Sequence, residues 1–509
     1  MKIDIKKIKR SIDKVNNYSV VKKTPLERQE QLSSRFENNI YLKREDLQPI
    51  HSFKIRGAMN KFSRLPASKL NNGVIAASAG NHAQGVALSA KKIKCRAVIV
   101  MPEITPFIKI KAVKNYGAEV VLHGENFAES MEYALELAEK EKMTFVHPYD
   151  DLDVIIGQGT IGKEILENFT KPIHAIFCCV GGGGLVSGVA AYVKAMHPEI
   201  KIIGVEAKGS EAMTKSLKSK KRVTLKQVAL FAEGAAVKRV GEHNYMICKD
   251  YVDEMLVVDN DSICAAIKDV FEDSRIILEP AGALAVAGIK QYVEKNKNKI
   301  KHENIIGIAS GANLNFDRLR FVSERAEIGE QREAIIAVTI PEKPGAFKSF
   351  CEQIGKRNIT EFNYRFSDET EAQIFTGISI EHISEVKKII TSLESVGLKA
   401  IDLTANEMAK LHLRHLVGGH APQAKNELMY RFEFPEKPGA LMNFLQCLNK
   451  GWNISLFHYR NHGADTARVL VGIQVPAKQM KTFKKFLSHL GYPYWDETEN
   501  PGYRLFLSK

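Results

Sequence analysis

Four consecutive glycines, Gly181 to Gly184, separate an apolar run from a helical pattern, with no polar linker on either side. Residues 175–180 have the length and composition of a buried strand, and residues 185–196 carry small and apolar residues at helical spacing. The predicted arrangement is strand, loop, helix. Only a chain without side chains brings several backbone N–H groups to one anion in left-handed dihedrals. The helix beyond adds the positive end of its dipole. The junction therefore predicts a phosphate cradle. It lacks the Lys-Ser/Thr of a triphosphate loop, and its spacing is not the Gly-x-Gly-x-x-Gly of a dinucleotide fold. A small monophosphate fits better. Residues 175–193 are uncharged and about long enough to span a bilayer. The glycine block would break any such helix, so no membrane span is expected.

The chain's 509 residues allow about three domains. A formal charge of +14 raises the question of nucleic acid. The basic residues are interleaved with acids instead of forming a stripe with stacking aromatics, which argues against such a partner. The basic start, residues 1–23, contains Asp4 and Asp13 and no continuous apolar core, so it reads neither as a secretory signal nor as a good transit peptide. Seven cysteines, odd in number and mostly inside apolar runs, show no metal-ligand spacing beyond the adjacent Cys178 and Cys179. No metal is expected, and reduced, buried thiols in a cytoplasmic protein are the simplest account.

Earlier in the chain, Ser52-Phe53-Lys54-Ile55-Arg56-Gly57-Ala58 predicts a helix that begins at Lys54, with Ser52 as its cap and Gly57 and Ala58 leaving room for close approach. A single lysine is usually a solvated surface charge. One that loses its proton in a partly buried site forms a Schiff base with an aldehyde cofactor. A strand pattern at 73–77 leads into Ser78-Ala79-Gly80-Asn81-His82-Ala83-Gln84-Gly85, a helix N-terminus that would accept a carboxylate. From 96 to 205 strands near 96–100, 119–122, 175–180 and 201–205 alternate with helices near 108–116, 126–140, 159–167 and 185–196. The alternation continues through 254–258, 261–272, 281–295 and 304–309. It predicts an α/β fold of parallel sheets covered on both faces. Ligands in such sheets bind at the carboxyl ends of the strands. Ser310, in Ser310-Gly311-Ala312-Asn313, stands at one such end.

The motifs around Lys54, Asn81, Gly181 and Ser310 resemble, in order and separation, those of the pyridoxal-phosphate enzymes of the tryptophan synthase β, or fold type II, group. Within that group the chain resembles the biosynthetic threonine dehydratases from about Val21 to its end. The resemblance implies that Lys54 holds the cofactor as a Schiff base. Gly181, Gly182, Gly183, Gly184 and Leu185 would bind its phosphate, Asn81 its phenolic 3′-oxygen and Ser310 its pyridine nitrogen. Ser78, Ala79, Gly80, Asn81 and His82 would hold the substrate carboxylate. The pair Cys178-Cys179 departs from the smaller or less reactive residues expected before the glycines.

The last third of the chain is a tandem repeat. Pro341-Glu342-Lys343-Pro344-Gly345-Ala346 recurs as Pro435-Glu436-Lys437-Pro438-Gly439-Ala440, and the octamer from Asn358 to Arg365 recurs as that from Asn453 to Arg460. The first copy reads as strand 334–340, helix 345–356, strands 359–366 and 372–380, helix 384–395 and strand 398–403, a ferredoxin-like α+β order. The expected organisation is a catalytic domain over 1–325, ACT-like domains over 333–404 and 427–498, and connectors over 323–332 and 405–425. The turns at Pro344-Gly345 and Pro438-Gly439 would offer N–H groups to a ligand carboxylate. The resemblance implies dehydration and deamination of L-threonine to 2-oxobutanoate and ammonia, activity on L-serine, inhibition by isoleucine opposed by valine, and a homotetramer. A β-replacement enzyme and a non-catalytic amino-acid sensor are the alternatives. The paired C-terminal domains argue against the first, and Lys54 with its cradle against the second.

Overall fold

A computed structural model describes residues 3–341, 350, 352–354, 357, 359–366, 371–413, 419–420, 426–435, 443–444, 447–449, 452–460 and 466–508. The chain folds as two compact units, Met1–Asn315 and Phe316–Lys509. Among the described residues no helix is long and apolar enough to cross a membrane, and the six described cysteines form no disulfide with one another.

The first unit contains two sheets. The larger has the order Leu26–Arg28, Asn39–Arg44, Asn304–Ala309, Ala175–Cys179, Lys201–Ala207, Glu254–Val258. It is parallel except for the antiparallel edge strand Leu26–Arg28. The smaller, wholly parallel, has the order Glu119–Leu122, Ala97–Met101, Val74–Ala77, Thr144–Phe145. Val74–Ala77, Ala97–Met101 and Ala175–Cys179 are buried at every position, as continuous apolar runs in doubly covered parallel sheets should be. The strand Asn39–Arg44 was not legible in the sequence, because Lys43 and Arg44 look like surface residues although both are buried.

One helix starts earlier than expected. The helix placed at 159–167 spans Leu152–Asn168 and is capped by Asp151, whose carboxylate accepts from Asp153 N at 2.8 Å and Val154 N at 3.3 Å. Gly157 and Gly159 resemble helix breakers in sequence, but the packing requires small residues there. A Cβ on Gly157 would lie 2.5 Å from Arg56 O, and one on Gly57 would lie 2.3 Å from Gln158 Nε2. The helices Lys54–Arg64 and Leu152–Asn168 therefore meet backbone to backbone.

In the second unit each repeat forms a four-stranded antiparallel sheet. The orders are Ile359–Phe366, Glu371–Ser379, Glu333–Pro341, Lys399–Asp402 and, in the second copy, Asn453–Arg460, Thr466–Gln474, Glu427–Pro435, Tyr494–Asp496. Both copies have a register shift at the same place, between Ile359 and Glu361 and between Ile454 and Leu456. The central strand Glu333–Pro341 is buried on both faces. Ala334, Ile336, Val338 and Ile340 enter the first copy's own core, and Ile335 and Ala337 enter a core shared with Met429 and Leu470 of the second copy. Tyr503 and Leu507, from the C-terminal helix Pro501–Phe506 and just beyond it, join that shared core.

The region expected as a connector at 323–332 is mostly the helix Arg318–Gly329. Its Ile328 is buried in the shared core, so it packs where a linker would be solvated. The boundary expected at 325 thus falls inside a helix of the second unit. Within the expected connector 405–425 the chain forms the helix Glu407–Leu411. The helix expected at 345–356 and the turns at Pro344-Gly345 and Pro438-Gly439 lie wholly or largely outside the described residues.

The start of the Lys54 helix is fixed by a buried group of charges. Lys43, Glu45, Arg56 and Glu164 are each at most 1% exposed. The Arg56 guanidinium donates to Glu45 Oε2 at 2.6 Å and Oε1 at 2.7 Å, and to Glu164 Oε1 at 2.6 Å and Oε2 at 2.9 Å. Lys43 Nζ donates to Glu164 Oε2 at 2.6 Å and to Thr24 O at 2.5 Å. Two positive and two negative groups balance, and the forked geometry fills the carboxylate oxygens. Burial alone would raise the Glu164 carboxyl, but Arg56 and Lys43 outweigh it and hold the group below the ordinary glutamate value. Replacing Arg56 by Met leaves two buried carboxylates with Lys43 as their one buried counter-charge, and should destabilise the first unit by about 3–5 kcal/mol. Thermal unfolding of the full chain by circular dichroism should show the loss as a lowered first transition. The contribution of Glu164 should be present above about pH 4.3 and be lost as pH falls through its depressed value. An R56M chain that melts like the parent at neutral pH would show that this group holds nothing together.

Candidate active site

The expected site residues come from widely separated positions and stand just beyond the carboxyl ends of parallel strands. Ser78 follows Val74–Ala77, Gly181 follows Ala175–Cys179 after Val180, and Ser310 follows Asn304–Ala309. One pocket is lined by Lys54, Asn81, Gly181, Gly182, Gly183, Gly184, Leu185 and Ser310. It is also lined by Phe53, Tyr149, Cys179, Gly234, Glu279 and Ala281, which the sequence did not single out as site residues. Ser78, Ala79, Gly80 and His82 are not among its lining residues.

Lys54 is the first residue of the helix Lys54–Arg64. The expected Ser52 cap is weak, since Ser52 Oγ lies 3.5 Å from Lys54 N. What holds the turn is backbone pairing: Ser52 bridges Gly311, and Phe53 N donates to Ser310 O at 3.1 Å. Lys54 Nζ donates to Pro148 O at 2.9 Å. Burial brings its pKa down to about 8, with Glu279 pulling the other way. At neutral pH about one amine in ten is then uncharged, against roughly one in a few thousand for a solvated lysine.

The glycines are required on the side facing the protein as well as toward the pocket. A Cβ on Gly181 would lie 2.8 Å from Ala235 Cα, one on Gly182 would lie 2.1 Å from the Tyr149 ring, and one on Gly183 would lie 2.7 Å from Asn244 Cβ. Gly183 has φ +98° and immediately precedes the helix Gly184–Met196, with no side-chain cap. That helix's first N–H groups have no partner within the helix and lie where the loop lines the pocket. Asn244 Nδ2 fixes the loop from behind, donating to Gly182 O at 2.9 Å and Tyr149 O at 3.0 Å.

Ser310 is 2% exposed, and its Oγ accepts from Cys179 Sγ at 3.2 Å. Burial raises the Cys179 thiol to about 11, so it is protonated at neutral pH and donates there. The pairing of Ile305 to Ala175 and Gly307 to Phe177, continued along the two strands, sets Ser310 one residue beyond the position opposite Cys179, a diagonal neighbour across the strand ends. Asn81 begins the helix Asn81–Ile93, and its Nδ2 donates to Glu279 Oε1 at 2.6 Å. The His82 ring turns away from solvent. Its Nε2–H donates to Val146 O at 2.8 Å, and burial, with Lys54 nearby, lowers its pKa to about 3, so it is neutral. The part of His82 that faces no such partner is its backbone N–H, in the first turn of the helix. Ser78 Oγ accepts from Gly80 N at 3.2 Å, and a Cβ on Gly80 would meet nothing within 4 Å. Space for a ligand group therefore exists at this helix end.

The residues missed by sequence reading had weak signals. Tyr149 sits in His147-Pro148-Tyr149-Asp150, a connection with no periodicity. Glu279 precedes Pro280 at the start of the helix Pro280–Asn296 and reads as an ordinary helix-start residue.

A family model described as "Pyridoxal-phosphate dependent enzyme" matches residues 19–311. One described as "C-terminal regulatory domain of Threonine dehydratase" matches residues 324–413 and again 418–507. The biosynthetic L-threonine dehydratase IlvA of Burkholderia multivorans is 55% identical over 96% of this chain and 97% of that protein. The chloroplastic threonine dehydratase 1 of Solanum lycopersicum is 52% identical over 96% of this chain and 80% of that protein. Among solved structures, the processed form of threonine deaminase isoform 2 from Solanum lycopersicum aligns with a TM-score of 0.62 and 50% identity, covering 64% of this chain and 88% of that one. Serine racemase from Dictyostelium discoideum aligns with a TM-score of 0.55 and 32% identity, covering 62% of this chain and 98% of that one. With a family model over more than half its length and relatives of this identity along nearly all of it, the chain belongs to the pyridoxal-phosphate dependent enzymes and, within them, to the biosynthetic threonine dehydratases.

Proposed function

We propose that this chain uses pyridoxal phosphate to convert L-threonine into 2-oxobutanoate and ammonia, with Lys54 as the residue that holds the cofactor. The observation that carries this reading is the convergence of a lysine of lowered pKa, an uncapped helix end behind four glycines, and the Asn81 and Ser310 side chains on one pocket. These residues fit the group. The glycine loop offers N–H donors to a phosphate, Lys54 Nζ an amine to an aldehyde, and Ser310 Oγ, which accepts from Cys179 Sγ and donates at 3.4 Å to Ala281 O, a hydroxyl proton that a ring nitrogen would take over from that long contact. Asn81 would meet the phenolic oxygen.

When bound, the cofactor supplies an aldehyde that captures the substrate amine and a conjugated ring that takes up the charge left at Cα. The chain's own residues do the rest. Lys54 Nζ, largely freed of the solvation that keeps ordinary lysines charged, takes the α-proton. The N–H groups from Ser78 to His82 hold the substrate carboxylate at a helix N-terminus. The β-hydroxyl leaves as water, taking up one proton for the one removed from Cα, and the enamine that remains tautomerises to an imine and hydrolyses to the keto acid and ammonia. L-Serine, one methyl smaller, should also react, because one methyl in a pocket discriminates by only about 1–3 kcal/mol.

The reading extends to regulation. Isoleucine inhibits and valine opposes it, both through the tandem repeats, as feedback on the entry to isoleucine synthesis, and in this reading the working enzyme is a cytoplasmic homotetramer. Two matched sheets with a common core support an effector-binding unit, since a change in one copy is felt by the other through residues such as Ile335 and Leu470. An effector acts only by binding two states unequally.

Borohydride reduction of the cofactor-loaded protein, followed by peptide mapping, should place the pyridoxyl group on Lys54; label on another lysine would remove the assignment. With cofactor-free protein, the rate of pyridoxal-phosphate capture followed by absorbance should rise about tenfold per pH unit up to about pH 8 and then level, because only the uncharged amine reacts. A profile still rising at pH 10 would mean that Lys54 is an ordinary lysine.

Regulation is tested by threonine saturation of the full chain and of a chain ended at Asn315, with and without isoleucine. The shortened chain should be hyperbolic and unresponsive, whereas the full chain should change its apparent threonine affinity roughly 5- to 150-fold. Isoleucine inhibition of the shortened chain that is not competitive with threonine would place the effector site in the first unit.

A further inference from the structure

The turn after Ser310 ends in Asn313, a residue that neither the glycine cradle nor the Lys54 chemistry uses. Its Nδ2 lies 2.8 Å from Ile50 O and 2.6 Å from Asn81 Oδ1. Carbonyl oxygens only accept, so the contact with Ile50 fixes which end of the Asn313 amide is nitrogen. The same nitrogen then meets Asn81, so Asn81 must present its oxygen to Asn313 and its nitrogen to the other side. There Glu279 Oε1 waits at 2.6 Å, and a carboxylate also only accepts. The chain of contacts admits one amide orientation at each position. It leaves Asn81, which lines the pocket and is 9% exposed, with one N–H of Nδ2 not spent on Glu279.

We propose that Asn313 is a positioning residue: by holding Asn81 Oδ1, it turns the remaining Asn81 N–H toward the pocket as a ready donor for an oxygen of the bound cofactor. This rests on the reading of the pocket as a pyridoxal-phosphate site with Asn81 at the phenolic oxygen. The anchor of Asn313 is firm, because Ile50 is fully buried four residues before Lys54. Asn313 thus ties the orientation of Asn81 to the segment that carries the lysine. Glu279 supplies the complementary constraint, and its placement is crowded: a Cβ on Gly311 would lie 2.6 Å from Glu279 Oε1, and one on Gly234 3.3 Å from it.

The test uses the full chain, stripped of cofactor and titrated with pyridoxal phosphate. The readouts are the dissociation constant and the position of the visible absorption band, which responds to hydrogen bonding at the phenolic oxygen. N81A and N313A should each weaken binding by roughly 3- to 10-fold and shift the band in the same direction. The N81A/N313A double variant should be no weaker than N81A alone, since Asn313 acts only through Asn81. N313D covers the case in which N313A does not fold. Its carboxylate is isosteric but accepts only, so Asn81 must turn its nitrogen away from the pocket, and the band should move to the N81A position. A normal band and affinity in folded N313A or N313D, beside an altered N81A, overturn the proposal. So does an N313A effect that adds in full to that of N81A. If N81A changes neither readout, the placement of Asn81 at the cofactor fails and the proposal falls with it, a result distinguishable because Lys54 labelling by borohydride would persist.

Discussion

The ion group of Lys43, Glu45, Arg56 and Glu164 ties together a strand end and two helices. Lys43 belongs to a strand of the larger sheet, Glu45 to the turn Glu45–Leu47 that follows it, Arg56 to the helix of Lys54, and Glu164 to the helix Leu152–Asn168. Burying four charges costs several kcal/mol each before their mutual attraction is counted, and an apolar cluster of the same volume would often be as stable. What the charges add is direction. A guanidinium forked onto two carboxylates accepts one placement, and Arg56 lies two residues from Lys54, so the lysine inherits that placement. The glycine contact of Gly57 with Gly157 and Gln158 lets the two helices approach closely enough for the forks to close.

The pocket shows the same use of constraint at smaller scale. Burial lowers the Lys54 pKa and raises that of Cys179, so an amine with an accessible neutral form and a protonated thiol occupy one site at neutral pH. Each is the state that the proposed chemistry needs: the amine to take a proton, the thiol to donate a hydrogen bond to Ser310 while keeping its own proton. Glu279 opposes the effect on Lys54, so the same carboxylate limits how far that pKa falls and fixes the amide of Asn81. The glycine run gains a second reason from the structure. Its residues are small because Tyr149, Ala235 and Asn244 press on the loop, as well as because it lines the pocket where a ligand would approach.

In the second unit the repeat makes the symmetry, and the shared core breaks it. Each sheet has the same strand order and the same register shift. The additions outside the repeats, the helices Arg318–Gly329, Glu407–Leu411 and Pro501–Phe506, all contribute to the core between the copies or flank it, with Ile328, Met408 and Tyr503 buried there. The salt bridge of Arg325 with Glu407, at 2.6 Å, joins two of them. Segments that look like linkers in sequence are therefore the glue of the pair.

Local pattern carried most of the architecture. Alternating apolar runs and helical periods placed the strands Ala175–Cys179 and Asn304–Ala309 and the helix Gly184–Met196 within a residue or so, because burial on both faces leaves a continuous apolar signature that survives without tertiary context. The repeat announced itself by identity, and the motifs around Lys54, Asn81, Gly181 and Ser310 named the residues that meet in the pocket. Tertiary structure alone decided the rest. The strand Asn39–Arg44 was hidden because its lysine and arginine are neutralised by partners more than a hundred residues away, or by partners close by that no period reveals. The true start of the helix at Leu152 was hidden because glycines that would weaken an isolated helix are demanded by a neighbour's backbone. Tyr149 and Glu279 were hidden because a single aromatic or acid in a connection has no pattern until the fold brings it to a lysine. Residue type and spacing fix what a segment can become, whereas the charge state and orientation of a buried group depend on what the rest of the chain places around it.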